Sequence, residues 1–182
     1  MNAILISTQP KWCELIASGK KTVEIRKTKP KIQTPFKCYI YMTAGDAIYP
    51  VTINGEPYTC SNVGGKVVIG EFVCDEITPL FNVATTSWNL LAGNVHEYGK
   101  ALVRMARLSE EEMHDYAKGK NCYAWHISDL VIYDKPKSIG EFCKPCDPDP
   151  QCDCQYCIAH GRSPSMTIKR APQSWCYVEE RR

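Results

Sequence analysis

The chain has 182 residues, of which 44% are hydrophobic and 23% charged, values that exclude a disordered or low-complexity protein. This length supports one good hydrophobic core but not two ordinary domains with linkers, so we expect one domain with an elaboration. The net charge of +2 is too small to indicate nucleic-acid binding by itself.

The N-terminal residues predict a short buried strand followed by a helix. Ala3 to Ile6 form an apolar run. Pro10 is suited to the first turn of a helix that extends to about Ser18, and Gly19 ends it.

The next segment alternates between apolar and polar residues. Val23 and Ile25 fall on one side of an extended chain, whereas Thr22, Glu24 and Arg26 fall on the other. The pattern predicts a half-buried strand.

The middle of the chain predicts two further strands and some short helical pieces. Lys37 to Thr43 and Lys66 to Ile77 have strand character. Asn89 to Leu91 and Lys100 to Met105 are interpreted as helical segments around Gly93 and Gly99.

A capping box indicates a helix that starts after Ser109, with Glu112 as its third residue. Leu108 and Met113 are placed as a hydrophobic staple, and Gly119 ends the helix.

The last third of the chain predicts two strands, separated by a cysteine-rich stretch. Cys122 to Tyr133 is aromatic and β-branched and predicts one long strand, and Ser174 to Glu179 predicts a final strand. Many strands with few helices favour an α+β fold with a mixed, mainly antiparallel barrel.

The segment from Gly19 to Lys27 contains the most informative candidate site. Seven basic residues and one acidic residue, Glu24, lie between Lys20 and Lys37. Glu24 and Arg26 are roughly 6.6 to 7 Å apart along a strand, close enough to hold one small polar ligand. A carboxylate for a base amino group, beside a guanidinium and an ammonium for phosphate, suits a nucleotide. From spacing alone, a solvated strand face with ion-paired charges is the favoured interpretation.

The same segment resembles the opening of ASCH-domain proteins, which belong to the PUA-like superfamily. Their signature G-x-K-x-x-E-x-R is matched at Gly19, Lys21, Glu24 and Arg26. The segments from 123 to 136 and from 170 to 180 resemble longer members of this family, many of them phage-related.

The resemblance implies a PUA-like β-barrel with flanking helices, in which the motif lines a cleft and takes part in RNA binding or RNA-linked regulation. It divides the chain into a barrel (1–140), a cysteine-rich insertion (141–170) and a final strand that returns to the barrel (171–182). The expected ligand-binding residues all lie before residue 27. They are Gln9, Trp12, Lys20, Lys21, Glu24 and Arg26.

An enzyme is the alternative that the resemblance allows. Short bacterial members of the family hydrolyse N4-acetylated cytidine with a lysine, a threonine and a glutamate, and others are linked to ribonuclease activity. The lysine corresponds to Lys21, but Glu24 stands where the threonine would be. In an enzyme, Lys21 with a depressed pKa would act as base or nucleophile and Glu24 would shuttle the proton. Otherwise Lys21 is a plain phosphate contact.

Other residues are assigned mainly structural roles. Trp125 and Trp175 offer stacking surfaces for a base, but core packing is the default for a tryptophan. Glu71 is interpreted as a surface residue, with a position in the cleft as the alternative, and His126 as a core or groove histidine rather than a metal ligand. His96 and His114 are expected to be exposed, and Ser7 to cap a helix.

The cysteines predict a structural zinc site. Two C-x-x-C units, Cys143 with Cys146 and Cys154 with Cys157, supply four thiolates for a tetrahedral ion. Free thiols or a disulfide are the alternatives, and three further residues have spacings that allow them to replace one ligand: Cys152, His160 and Cys176.

The sequence thus leaves three hypotheses open: an RNA- or nucleoside-binding module, a hydrolase, and a zinc-stabilised protein-interaction module. An odd number of cysteines and the lack of a signal-peptide pattern favour a reducing, cytoplasmic compartment. No segment has the roughly 20 apolar residues of a spanning helix, so we expect no membrane partner.

Overall fold

The computed structural model describes residues 3–44, 50–53, 56–59, 66–83, 87–90, 96–145 and 167–180. These residues contain twelve strands and three α-helices. The helices are α1 (Pro10–Ala17), α2 (His96–Met105) and α3 (Glu110–Ala117). The strands are β1 (Ala3–Thr8), β2 (Val23–Arg26), β3 (Phe36–Met42), β4 (Pro50–Ile53), β5 (Glu56–Thr59), β6 (Val67–Cys74), β7 (Ile77–Val83), β8 (Ser87–Leu90), β9 (Cys122–His126), β10 (Ser128–Ser138), β11 (Phe142–Cys143) and β12 (Trp175–Glu180).

The described residues divide into two compact units. The first unit draws on Met1–Cys13, Lys37–Glu71 and Val131–Arg182, and the second on Glu14–Phe36 and Phe72–Leu130.

The first unit contains a six-stranded sheet in the order β10-β6-β3-β1-β12-β11. Strand β1 pairs in parallel with β3 and antiparallel with β12, which in turn pairs antiparallel with β11. Apolar and aromatic side chains of these strands form a core with Ile168. Its buried members are Ala3, Leu5, Tyr39, Tyr41, Val68, Phe142, Ile168 and Val178.

Within this sheet, Gly70 of β6 lies directly against β10. A Cβ atom at Gly70 would overlap the carbonyl oxygen of Val131 and would crowd Ile132. Glycine therefore permits the close approach of these two backbones.

The second unit contains a four-stranded antiparallel sheet in the order β2-β9-β7-β8. Val23 and Ile25 of β2 lie on the face that packs against α2 and α3, as their alternation predicts. The buried core on this face consists of Val23, Ile25, Leu80, Leu102, Val103, Ala106, Met113, Ala117, Cys122 and Ala124.

The predicted capping box is present at the start of helix α3. The side chain of Ser109 accepts from the backbone N–H of Glu112, whose carboxylate accepts from the N–H of Ser109. Met113 is buried and Leu108 packs against the same core. Gly119, with φ +74°, follows the helix.

Three predictions of secondary structure are wrong. Residues 89 and 90, expected in a helix, belong to β8, because pairing with β7 outweighs a weak local helical preference. The expected strand from Cys122 to Tyr133 is divided between β9 and β10, since the N–H of Ile127 turns away to donate to the carbonyl of Thr22. The expected strand from Lys66 to Ile77 is likewise divided between β6 and β7.

The fold class agrees with the prediction: a mixed α+β fold, mainly antiparallel, with helices flanking the sheets. None of the helices in the described ranges is long and apolar enough to cross a membrane. The proposed insertion at 141–170 falls mostly outside these ranges, so that division of the chain stays a prediction.

Candidate functional site

A tight turn after α1 positions the first residue of the candidate site. The N–H of Gly19 donates to the carbonyl of Ile16, and Gly19 adopts φ +69°, which favours glycine. The N–H of Lys21 then donates to the carbonyl of Leu15. These bonds fix the backbone of Lys21 just before β2.

Lys21, Glu24 and Arg26 are in direct contact, and we call them the charged triad. Lys21 Nζ lies 3.3 Å from Glu24 Oε2, and Arg26 Nη2 lies 2.9 Å from Glu24 Oε1. Lys21 Nζ also donates to the backbone carbonyl of Ala106 at 2.7 Å. The carboxylate thus lies between two cations, and the formal charge of the triad is +1.

The triad is buried, which corrects the expectation of exposed side chains along a half-buried strand. Lys21, Glu24 and Arg26 are 3%, 7% and 6% exposed. Strand β2 pairs with β9 along one edge, and the N–H of Thr22 donates to Met105 at the end of α2. Because both faces of β2 are covered, the polar face is buried as well as the apolar one.

Burial lowers the pKa of the Lys21 ammonium below its usual value. The negative charge of the Glu24 carboxylate opposes this effect, whereas the Arg26 guanidinium adds to it by repulsion. Lys21 therefore loses its proton at a lower pH than an ordinary surface lysine does.

Glu24 keeps some capacity to accept a hydrogen bond. Its Oε2 is buried and forms no hydrogen bond of good geometry with the described residues, although the Lys21 ammonium is nearby. A buried carboxylate oxygen in this state is suited to a donor from a ligand, such as an exocyclic amino group.

Aromatic side chains surround the triad, and most of them were missed at the level of sequence. The pairing of β2 with β9 places Trp125 opposite Glu24 and Tyr123 opposite Arg26. Directly opposite residues of an antiparallel pair share a face of the sheet. The ring of Tyr116 on α3 lies 5.0 Å from Lys27 Nζ. The pairing of distant strands, which periodicity does not specify, places Tyr123 and Trp125 opposite the triad residues.

The remaining predicted ligand residues are Lys20, Gln9 and Trp12. The side chain of Lys20 is exposed, while its carbonyl accepts from Arg107 Nε. Gln9 and Trp12 belong to the first unit, and their role in ligand binding stays a prediction. Trp125 is fully buried and packs edge-on against Phe36, in agreement with core packing.

A second charged cluster lies in the first unit, and we call it the open cluster: Lys37, Glu71 and Tyr133. The Glu71 carboxylate accepts from Lys37 Nζ at 2.5 Å and from the Tyr133 hydroxyl at 2.5 Å. Partial burial raises the pKa of Glu71, but these two bonds outweigh burial and hold it below its usual value. The side chains of Lys37 and Glu71 are 44% and 20% exposed, so Glu71 lies near the surface.

His126 is not a core residue. Its Nδ1 lies 2.7 Å from Asp75 Oδ1, and both side chains are more than a third exposed. His114 is exposed, as expected, and the side chain of His96 lies outside the described residues.

The described cysteines are mostly buried thiols. Burial raises the pKa of Cys74 to about 12 and that of Cys122 and Cys176 to about 11. Of the predicted zinc ligands, only Cys143 lies in the described part of the chain, where it is fully buried. Cys146, Cys154 and Cys157, with the alternatives Cys152 and His160, lie outside it. The described ranges contain no cluster of three metal-binding side chains.

Comparisons with known proteins identify the family of this chain. The structure is similar to the crystal structure of an ASCH protein from Zymomonas mobilis, with a TM-score of 0.54 and 22% sequence identity. The match covers 97% of this chain and 87% of the Zymomonas mobilis chain. A variant of that protein gives the same score and identity, with 90% of its own chain covered. No curated protein matches this chain. The model of the ASCH domain matches residues 6–134, and the chain therefore belongs to the ASCH domain family.

Proposed function

We propose that the protein binds RNA or a modified nucleoside through the charged triad. The observation that carries this proposal is the burial of three charged side chains in contact on one strand. Apolar residues of similar volume would often be neutral or more stable in such a place. Buried ionisable groups that are present despite this cost in stability are typical of functional sites.

The chemistry of the triad fits a nucleotide. The guanidinium of Arg26 is suited to bidentate recognition of a phosphate, and the net charge of +1 favours an anion. The free acceptor capacity of Glu24 Oε2 suits a base amino group. The membership in a PUA-like family supports the same class of ligand.

The test is ligand-induced stabilisation of the folded protein. Short single-stranded RNAs and a panel of unmodified and N4-acylated nucleosides would be titrated against the wild-type protein while thermal unfolding is followed. A ligand at about 100 times its Kd stabilises the fold by about 2.7 kcal/mol. We expect at least one RNA or nucleoside to raise the Tm, and Lys21→Met or Arg26→Met to remove that rise. The matched control Lys120→Ala alters an exposed lysine of the same unit. A flat Tm across all ligands contradicts the proposal.

The lowered pKa of Lys21 favours a second function, hydrolysis of an N4-acylated cytidine. A neutral Lys21 amine would take a proton from the attacking water as its oxygen adds to the acyl carbon. The Glu24 carboxylate would then relay that same proton from Lys21 to the departing amino group as the C–N bond breaks, which releases the acid and cytidine. Mass spectrometry of N4-acetylcytidine incubated with the protein measures release of cytidine. Turnover that disappears in Lys21→Met and persists in Lys120→Ala supports this function, whereas binding without turnover supports the first.

We also propose that Cys143, Cys146, Cys154 and Cys157 bind one structural zinc ion. The described ends of the cysteine-rich segment support this, because Cys143 forms a β-bridge with Thr167 and the N–H of Ile168 donates to Phe142. The two described ends of the cysteine-rich segment are therefore adjacent. A metal ion bound by the residues between these ends would offset the entropy lost when the segment becomes ordered. Elemental analysis should find about one zinc per chain.

A further inference from the structure

Two lysines beyond the end of β2 lie over tyrosine rings. Lys27 Nζ is 5.0 Å from the centroid of the Tyr116 ring, and Lys29 Nζ is 5.8 Å from that of Tyr123. Both lysine side chains are exposed, and Tyr116 is 37% exposed. We call these four residues the basic-aromatic surface.

We propose that the basic-aromatic surface binds a single-stranded polynucleotide, so that the ligand of the charged triad is a nucleotide within a strand rather than a free nucleoside. This inference rests on the proposed function, because the triad would hold one nucleotide and the basic-aromatic surface its neighbours.

The surface offers the two kinds of contact that a single strand needs. Ammonium groups neutralise phosphates, and aromatic faces stack on bases whatever their identity. Exposed cation–π contacts are worth only about 0.5–1 kcal/mol. A phosphate can therefore draw each ammonium away from its ring and leave the ring face to a base.

The spacing of the lysines suits successive phosphates. Residues 27 and 29 are two apart, so their Cα atoms are separated by at most about 7 Å. The surrounding segment, from Lys20 to Lys37, has seven basic residues, and its one acidic residue, Glu24, is already paired within the triad. This segment of the chain is therefore strongly basic, which favours a polyanion as its ligand.

The surface is continuous with the triad within the second unit. The register of β2 and β9 places Tyr123 opposite Arg26, on the same face of the sheet. Lys27 directly follows Arg26 in the chain. Burial is the main cause that raises the pKa of Tyr116, and the charges of Arg26 and Glu24 also act on it, which places its hydroxyl near the triad.

A base-paired duplex fits this surface less well. Its bases are stacked inside the helix and cannot reach tyrosine faces, so a duplex would use only the lysines. An acidic peptide would likewise leave the rings unused. The pairing of each cation with a ring thus favours an unpaired strand.

Fluorescence anisotropy with a fluorescein-labelled seven-nucleotide RNA of mixed sequence tests the inference. The same sequence as DNA, and as an RNA duplex, completes the set of probes. We expect Lys27→Ala/Lys29→Ala to weaken binding of the single-stranded RNA at least tenfold. The slope of log K against log salt should fall by about 1.4, since each phosphate contact on a single strand contributes about 0.7. The control Lys120→Ala/Lys135→Ala removes two exposed lysines outside the surface and should change the slope little.

The tyrosines separate stacking from charge. Tyr123→Leu should weaken binding of the RNA about tenfold without a change in the salt slope, whereas Tyr123→Phe should bind as the wild type does. The DNA probe shows whether the sugar matters: equal affinity assigns the surface to single strands in general, and a preference for RNA assigns it to RNA.

The outcomes distinguish this inference from the proposed function. If Lys27→Ala/Lys29→Ala and its milder form Lys27→Gln/Lys29→Gln both keep the wild-type affinity and salt slope, the inference is wrong, while nucleoside binding at the triad can still hold. A duplex that binds as tightly as the single strand also overturns it. If the strand binds through Lys27 and Lys29 but Lys21→Met has no effect, the basic-aromatic surface binds the strand by itself. The proposed function of the triad is then wrong, together with the part of the inference that places a nucleotide there.

Discussion

The charged triad and the open cluster contain similar groups in very different surroundings. In each, a glutamate carboxylate contacts a lysine ammonium and a second polar group. The second group is the Arg26 guanidinium in the triad and the Tyr133 hydroxyl in the open cluster. The triad is at most 7% exposed, whereas Lys37 is 44% exposed. The comparison shows that a contact distance does not define the role of an ion pair. Solvent screens the charges of the open cluster, which is an ordinary surface feature. Burial of the triad costs desolvation free energy, and this cost favours a functional role for its charges.

The largest expected effect is that of Glu24→Ala. Removal of this carboxylate leaves Lys21 and Arg26 as buried like charges, so we expect a loss of about 3–5 kcal/mol in the free energy of unfolding. Urea denaturation measures it. The control Glu14→Ala removes an exposed carboxylate of α1 and should change stability by less than about 0.5 kcal/mol. Equal effects of the two variants would mean that the triad is solvated.

Lys21→Met sharpens the contrast through pH. The pKa of Lys21 is lowered in the folded protein, so between that pKa and 10.5 the unfolded chain binds more protons than the folded one. The contribution of Lys21 to stability therefore rises with pH in this window and is constant below it. We expect the wild-type protein to gain stability relative to Lys21→Met as pH rises towards 10.5. A difference that stays constant up to that pH would contradict the lowered pKa.

Glu71→Gln should have a smaller effect, of about 0.5–1 kcal/mol, because solvent screens the open cluster. The pKa of Glu71 is held below 4.5 in the folded protein. The Glu71 carboxylate therefore contributes its full share of the free energy of unfolding above pH 4.5, and this share is lost as pH falls through the lowered pKa. The difference between wild type and variant should be full at pH 7 and shrink as pH falls below 4.5. Urea titrations across this pH range measure this. A difference that grows on acidification would reverse the sign and exclude the hydrogen bonds as its cause.

Asp75→Asn should have the smallest effect, at most about 0.5 kcal/mol, since the Asp75–His126 pair is largely exposed. Raising salt from 0.05 to 0.5 M should remove most of it. An effect as large as that of Glu24→Ala would show that exposure is a poor guide to the cost of removing one partner.

Local patterns in the sequence predicted the segments of the site but not its burial. The turn at Gly19, the alternation through Val23 and the capping box at Ser109 each depend on a few neighbouring residues, and the structure agrees with them. The Ala106 carbonyl that accepts from Lys21 lies 85 residues away in the chain, and the strand that covers Glu24 lies at residues 122–126. No periodicity encodes such pairings, so an exposed polar face was the natural but incorrect expectation.

The buried thiols described above make cysteine chemistry selective in this protein. A thiol reacts as its thiolate, so groups whose pKa is raised to about 11 or 12 alkylate very slowly at neutral pH. Six of the eleven cysteines lie in the described ranges, and five of those six are buried. Rapid labelling of the folded protein is therefore not expected at Cys74, Cys122 or Cys176. Four of the five cysteines outside the described ranges fall between residues 146 and 157. A count of fast-reacting thiols, with and without a chelator, therefore tests the proposed zinc site without any substitution.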